Sequence, residues 1–257
     1  MNYPTNTFTQ GLREGRKQFG MWVSLASPFA SEIVASAGFD FCVIDMEHSP
    51  NELNSVLGQL QAFAAHPTPA IVRPMWNDSV MVKRLLDIGA PGLVFPMVQN
   101  AEEAEAAVAA CRYPPNGVRG VAGSTRANQF GRVKDYFDRV EEETTIIIQV
   151  ETRAALDVVD EIAAVEGVSG VFFGPSDIAA DLGHLGKPMH PEVWETIRPI
   201  SKRLADKGMP VGTLVADLDF AGGLLNEEFS FVACSTEAAA LARAMDSTVS
   251  KMRSLIS

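Results

Sequence analysis

Two acidic residues close successive apolar runs of this chain. Glu151 ends Ile146-Ile147-Ile148-Gln149-Val150-Glu151, and Asp177 follows Val171-Phe172-Phe173-Gly174-Pro175-Ser176. Runs so rich in β-branched and aromatic residues read as buried strands. The helical stretch between them makes them neighbours in a parallel sheet. Adjacent parallel strands lie roughly 4.8 Å apart, so carboxylates at their C-terminal ends can meet over one point. A divalent cation held through oxygen is the natural occupant of that point. The plainer alternative is two unrelated loop acids that cap helices or face water.

Other polar residues stand at strand ends. His48 lies in Asp45-Met46-Glu47-His48-Ser49-Pro50, just past a third apolar run. Imidazole is the side chain best suited to move a proton near pH 7, so His48 is the candidate general base; a structural histidine bonded to backbone is the alternative. His66, His184 and His190 sit in loops beside Pro or Gly and read as surface residues. Arg73, before Pro74, can meet a carboxylate or a developing enolate oxygen, or form a salt bridge to Asp45 or Glu47. Asp87 falls in the last turn of a helix, where the macrodipole disfavours an anion by roughly 0.3–1 kcal/mol; a His⁺ or Arg neighbour would offset it, and a solvated Asp is equally allowed. Gly174-Pro175-Ser176-Asp177 offers backbone N–H groups at a helix start, which suits a substrate carboxylate or an ordinary cap.

Such groups must be carried by a regular frame. Strand-like runs occur at Gly20–Leu25, Phe39–Asp45, Ala70–Arg73, Gly92–Val98, Thr145–Glu151, Gly170–Gly174, Pro210–Leu214 and Phe229–Cys234, with amphipathic stretches between them. Eight strands alternating with helices is the pattern of a (β/α)₈ TIM barrel, whose chemistry sits at the C-terminal strand ends. An open doubly wound sheet is the alternative, disfavoured by the lack of a Gly-x-Gly-x-x-Gly after the first strand. Asn77 or Asp78 can cap a helix over Val80–Ile88 that stops at Gly89, and Asn100 precedes an alanine-rich helix with Glu103 near a capping-box position. Arg153–Val165 and Glu237–Ile256 carry helical stripes. The segments 113–133 and 181–191 read as long loops that shape the active site.

The composition agrees with one globular α/β domain over residues 1–257: 47% hydrophobic, 21% charged. A net charge of −11 argues against nucleic-acid or anionic-membrane partners, so an anionic substrate would need local positive charge from a metal or an arginine. Three scattered cysteines (Cys42, Cys111, Cys234) make no disulfide framework and suit a reducing cytoplasm. No apolar run approaches membrane-spanning length, and the first twenty residues lack a secretory signal pattern.

The strings Asp45-Met46-Glu47-His48-Ser49-Pro50-Asn51, Val72-Arg73-Pro74, Arg84-Leu85-Leu86-Asp87-Ile88-Gly89, Cys111-Arg112-Tyr113-Pro114-Pro115, Gly117-Val118-Arg119-Gly120, Gln149-Val150-Glu151-Thr152 and Gly174-Pro175-Ser176-Asp177 resemble the HpcH/HpaI aldolase family of metal-dependent (class II) pyruvate aldolases. The similarity spans nearly the whole chain. Within the family, 126–131 and 181–186 look most like the branch that cleaves 5-keto-4-deoxy-glucarate. The resemblance implies a (β/α)₈ barrel, a homo-hexamer (trimer of dimers) with a swapped C-terminal helix, and Mg²⁺, Mn²⁺ or Co²⁺ held by Glu151 and Asp177. It implies His48 as base, Asp87 as the acid that orients it, and Arg73 at the keto oxygen. It implies Gln149, Gly174, Ser176, Asp177 and Leu214 as contacts of the keto acid, with an aldehyde as the second product. The chain departs from the family pattern at Met46 and Ser49, and at Ser235-Thr236-Glu237, which bears on the aldehyde. Rival readings are an acyl-CoA lyase of the same barrel superfamily, favoured by Arg112, Arg119, Arg126 and Arg132 if they line the site, and a non-catalytic keto-acid-binding barrel.

Overall fold

Each strand pairs in parallel with the next, and the eighth closes on the first. The strands are β1 (Gln18–Val23), β2 (Phe41–Asp45), β3 (Ala70–Arg73), β4 (Gly92–Phe95), β5 (Thr145–Val150), β6 (Gly170–Phe173), β7 (Val211–Leu214) and β8 (Phe231–Thr236). The register between β5 and β6 sets Val150 beside Phe173, so residues 151 and 174 leave the sheet side by side. This is the closed barrel expected from the strand count, seen in a computed structural model that describes residues 5–256.

The helices follow the strands in turn. They are α1 (Thr7–Arg13), α2 (Pro28–Ala35), α3 (Leu53–Phe63), α4 (Ser79–Asp87), α5 (Ala101–Cys111), α6 (Tyr136–Glu143), α7 (Arg153–Asp157), α8 (Val159–Ala163), α9 (Pro175–Asp181), α10 (Pro191–Asp206), α11 (Leu218–Asn226) and α12 (Glu237–Ile256). Local chemistry explains several boundaries. Asp78 caps α4 through Val80 N–H, and Gly89, at φ +93°, follows the helix end in the left-handed region that glycine tolerates. Asn100 caps α5 through Glu103 N–H, but the Glu103 carboxylate accepts from Gln99 N–H instead of closing a capping box. The expected helix over Arg153–Val165 is two short ones, jointed at Val158.

Two apolar layers hold the frame. Outward-facing strand residues such as Ile44, Val72, Ile148 and Phe173 pack under the helices. Inward-facing Phe41, Val43, Ile71, Val94, Ile147, Phe172 and Phe231 fill the barrel. The sequence reading did not foresee α1, which plugs the lower end: Phe8 stacks on Phe41 at 4.7 Å and meets the Phe231 ring edge-on at 5.5 Å. Fully burying such a ring contributes about 1.5–3 kcal/mol. Trp22 and Leu214 belong to the same interior cluster, nearer the upper mouth.

The last helix is different. Of its twenty residues only Glu237 is buried, and Leu241, Met245, Val249, Met252 and Leu255 are each about half exposed or more. Their spacing of three and four places them along one face.

Candidate active site

The barrel mouth gathers the charged groups. Arg73, at the end of β3, is buried and donates Nε and Nη2 to the two Asp45 carboxylate oxygens at 2.8 and 2.9 Å. Its Nη1 lies 2.8 Å from Glu47 Oε2, and its guanidinium sits over the Trp22 ring, 4.9 Å from the centroid. Both salt bridges weighed for Arg73 are therefore present. They use three of its five N–H donors and hold the guanidinium in one orientation above the barrel interior.

Glu151 is 1% exposed, the most deeply buried acid of the mouth. Its Oε1 accepts from Met97 N–H at 2.8 Å and its Oε2 from Gln149 Nε2 at 2.6 Å. Met97 has φ +54°, a conformation that costs a non-glycine residue energy and that aims this N–H at the carboxylate. Gly174 packs against the same carboxylate: a Cβ there would lie 2.5 Å from Glu151 Oε2, so only glycine fits. Asp177 follows in the first turn of α9, exposed to the mouth. Ser176 and Asp177 stand where backbone N–H groups have no partner within the helix.

The electrostatics follow from this crowding. Burial pushes the Glu151 carboxyl up to about 7, against the pull of its two hydrogen-bond donors, and the charges of Asp177 and Glu47 push it further. Burial also raises Glu47, opposed by Arg73 and His48 and reinforced by Asp45 and Asp177. Four carboxylates thus gather at the mouth, and Arg73 pairs with two of them, Asp45 and Glu47. Gln149 adds a buried Oε1 that has no hydrogen-bond partner. A divalent cation fits such a donor set, since it would neutralise the surplus anionic charge and give the carboxylate oxygens a partner. Glu47 and Asp45 are members of the site that the sequence reading cited only as possible salt-bridge partners of Arg73.

His48 stands on the rim, with its side chain 68% exposed and Nε2 3.9 Å from Glu47 Oε1. Leu214, the last residue of β7, is half-buried beside the interior cluster and supplies apolar surface at the mouth. The departures from the family pattern also find places. Glu237 accepts from Ser24 and Leu25 N–H groups at 2.6 and 2.7 Å, tying the exit of β1 to the start of α12. Ser235 accepts from Arg243, Ser49 donates to the Asp45 carbonyl, and Met46 is buried.

Asp87 lies apart from the mouth of its own barrel. It ends α4, the helix that runs back from the mouth to the start of β4, so in one chain it lies at the opposite rim from His48. Its cationic neighbour is Arg119, whose Nη2 donates to Oδ1 at 2.7 Å; the offset expected for a helix-end anion is thus present, without the histidine. The segment 113–133 shares this lower rim. Ala127 N–H bonds the Asp87 carbonyl, and Arg126 donates to the carbonyls of Ile88 and Leu60. This loop therefore does not shape the mouth of its own barrel. It lines a cavity of about 700 Å³ at the other end, with Arg119, Arg126, Phe130 and Tyr136 in its wall.

A second group of possible metal ligands lies away from the mouth. Among the described residues, one set of three His, Cys, Asp or Glu ligand atoms comes within 4.8 Å of one another: His184, His190 and Glu192. This cluster is suitable for a divalent ion. The two histidines had been read as plain surface residues, because nothing in their six-residue spacing shows that the loop folds them together.

A closed parallel barrel with acids gathered at its C-terminal mouth defines the protein as an α/β barrel of the (β/α)₈ type. The chain belongs to the HpcH/HpaI aldolase/citrate lyase family, whose model matches residues 18–244. It is 48% identical over 251 residues to a pyruvate aldolase of Rhizobium etli, covering 98% of this chain and 99% of that protein. It is 43% identical over 247 residues to a 4-hydroxy-2-oxo-heptane-1,7-dioate aldolase of Escherichia coli, covering 96% and 94%. Its fold matches the crystal structure of a family member from Burkholderia cenocepacia with a TM-score of 0.93 and 37% identity, over 97% of this chain and all of that one.

Proposed function

We propose that this chain is a divalent-metal-dependent aldolase that reversibly cleaves a 2-keto-4-hydroxy acid to pyruvate and an aldehyde. The observation that carries the reading is the mouth itself: Glu151 at the exit of β5 and Asp177 in the first turn of α9, close enough for their charges to interact, at the same rim as an arginine already oriented by two acids. Glu151 and Asp177 would hold Mg²⁺, Mn²⁺ or Co²⁺, which as a Lewis acid polarises the keto group. Arg73 turns its remaining N–H groups to the keto oxygen, where negative charge develops as the C3–C4 bond breaks. His48 takes the C4-hydroxyl proton, directly or through water. Gln149 and Leu214 flank the pyruvyl part, and the first turn of α9 (Ser176, Asp177) receives its carboxylate. Candidate substrates are 5-keto-4-deoxy-glucarate and 4-hydroxy-2-oxoheptanedioate.

A panel of pyruvate with succinic semialdehyde, tartronate semialdehyde, lactaldehyde and hydroxypyruvate tests this. Activity should vanish with EDTA and return with Mn²⁺; chelator-insensitive turnover would refute it. His48→Ala should lower turnover on the order of 10²-fold, the low end of general-base catalysis because the ring is exposed to water that can substitute. A wild-type rate in that variant would remove His48 from the mechanism.

The acyl-CoA alternative is weakened because two of the arginines that would have favoured it are already engaged within the chain. Arg119 is buried against Asp87, and Arg126 is engaged with backbone carbonyls. Assembly into a hexamer is part of the proposal. The unpartnered apolar face of α12 supports a helix exchanged between copies. Asp87 can orient His48 only if the lower rim of one copy meets the mouth of another. A chain ending at Asp246 should then run smaller in light scattering and lose turnover; unchanged mass would exclude the exchange. No described helix is long and apolar enough to cross a membrane, and the three free thiols suit a cytoplasmic protein.

A further inference from the structure

We propose that His184, His190 and Glu192 form a second metal site, separate from the mouth, that takes a borderline cation such as Zn²⁺ and clips α9 to α10. His184 Nε2 lies 2.6 Å from Glu192 Oε2, and the two imidazole rings stack at 3.5 Å between centroids with an interplanar angle of 17°. All three ligand atoms fall within 4.8 Å. A tetrahedral zinc with Zn–N bonds of about 2.05 Å asks for donor separations of about 3.3 Å. Small rotations of these side chains reach it.

The backbone presents the ligands from fixed positions. His184 N–H bonds the Ala179 carbonyl, Lys187 N–H the His184 carbonyl, and His190 N–H the Lys187 carbonyl, while Trp194 Nε1 donates to the Pro188 carbonyl. Gly183, just before His184, and Gly186, between the two histidines, both stand at positive φ and turn the chain back. His190 begins α10 as its cap, with Nδ1 accepting from Glu192 N–H at 3.3 Å. The loop is therefore a tied sequence of turns, and little ordering remains to oppose binding.

The donor set differs from that of the mouth. Two imidazoles and one carboxylate suit Zn²⁺, Co²⁺ or Ni²⁺, whereas Mg²⁺ prefers oxygen alone. Three protein ligands leave a fourth position for water. The cluster sits on the helical layer, with the Arg153 charge acting on Glu192 and Arg153 also paired with Asp181 of α9. Because α9 carries Asp177 in its first turn, an ion here would brace the segment that holds one acid of the mouth.

The test keeps the full chain in millimolar Mg²⁺, so that the oxygen site is occupied. Zn²⁺ is titrated by calorimetry, and thermal midpoints are read with and without it. The wild type should bind one further equivalent and gain roughly 5–10 °C at a hundredfold excess over Kd. Co²⁺ should show the visible absorption of a four-coordinate nitrogen–oxygen site. His184→Gln and His190→Asn, the latter retaining a good helix cap, should lose both signals and weaken Zn²⁺ binding at least tenfold. Glu192→Gln, which leaves both imidazoles, provides a third variant should either histidine change fail to fold. Mg²⁺-supported turnover in the variants should stay within about twofold of wild type. Zinc binding unchanged in the variants, no zinc bound by the wild type, or Mg²⁺-supported turnover lost with the histidines would each overturn the proposal.

Discussion

Glu151→Gln should lower turnover about 10³-fold or more while leaving the barrel folded. Loss of a Lewis acid from its ligand set removes several kcal/mol of transition-state stabilisation, and about 4 kcal/mol corresponds to that factor. Glutamine has the right shape but the wrong polarity. Both oxygens of Glu151 accept hydrogen bonds, from Met97 N–H and Gln149 Nε2, so the new amide nitrogen must face one donor or the other. Gly174 leaves no room for the side chain to swing aside. Stability provides an independent readout. In the metal-free protein the Glu151 carboxyl is raised from 4.5 to about 7. Between those values the folded chain binds a proton that the unfolded chain lacks, so stability should fall as pH rises toward 7. Glu151→Gln should flatten that slope, and a saturating metal, which needs the ionised carboxylate, should abolish or reverse it. Near-normal turnover in this variant would remove Glu151 from the metal site, and an unchanged slope would show that another group titrates there.

Arg73→Lys should cost on the order of 10²–10³-fold in turnover, the usual loss when a fixed donor to a developing oxyanion is removed. Lysine keeps the charge but not the fork. It cannot bond both Asp45 oxygens, meet Glu47 and still offer a donor to substrate, as the guanidinium does. Arg73→Ala is the poorer experiment, because it strands two acids in a buried site at a cost of about 3–5 kcal/mol. Exchange of pyruvate methyl protons with deuterium isolates enolate formation from aldehyde binding. It should slow in parallel with turnover in Arg73→Lys. Exchange within about threefold of wild type would place Arg73 in a structural role only, orienting Asp45 and Glu47.

The barrel was legible because parallel strands buried on both faces are written as apolar runs. The ends of Asp45, Arg73 and Val150 could be read almost to the residue for the same reason: polarity returns where the strand leaves the core. The Asp78 cap and the full span of α12 were readable from local chemistry. What local chemistry does not encode was missed. α1 has only Phe8 and Leu12 as buried apolar side chains, and its role depends on a barrel end that does not exist until eight strands close. Asp87 was placed beside His48 by the family resemblance, and the segment 113–133 was read as shaping the active site because it is a long loop. Their helices, however, run back along the barrel and deliver them to the other rim. The site acids divided in the same way. Glu151 and Asp177 announced themselves at strand exits, whereas the second contact of Arg73, with Glu47, became certain only when β2 and β3 were in register, with Asp45 beside Arg73.

Among the described residues two places suit a divalent ion, and the aldol chemistry is assigned to the one at the mouth. Anomalous scattering from a crystal soaked with Mn²⁺ and pyruvate distinguishes them directly. A strong manganese peak should appear between the carboxylates of Glu151 and Asp177, with pyruvate oxygens completing its coordination beneath Arg73. Manganese bound solely at His184, His190 and Glu192, or pyruvate bound at the mouth with no ion beside those two acids, would contradict the chemistry assigned to this barrel.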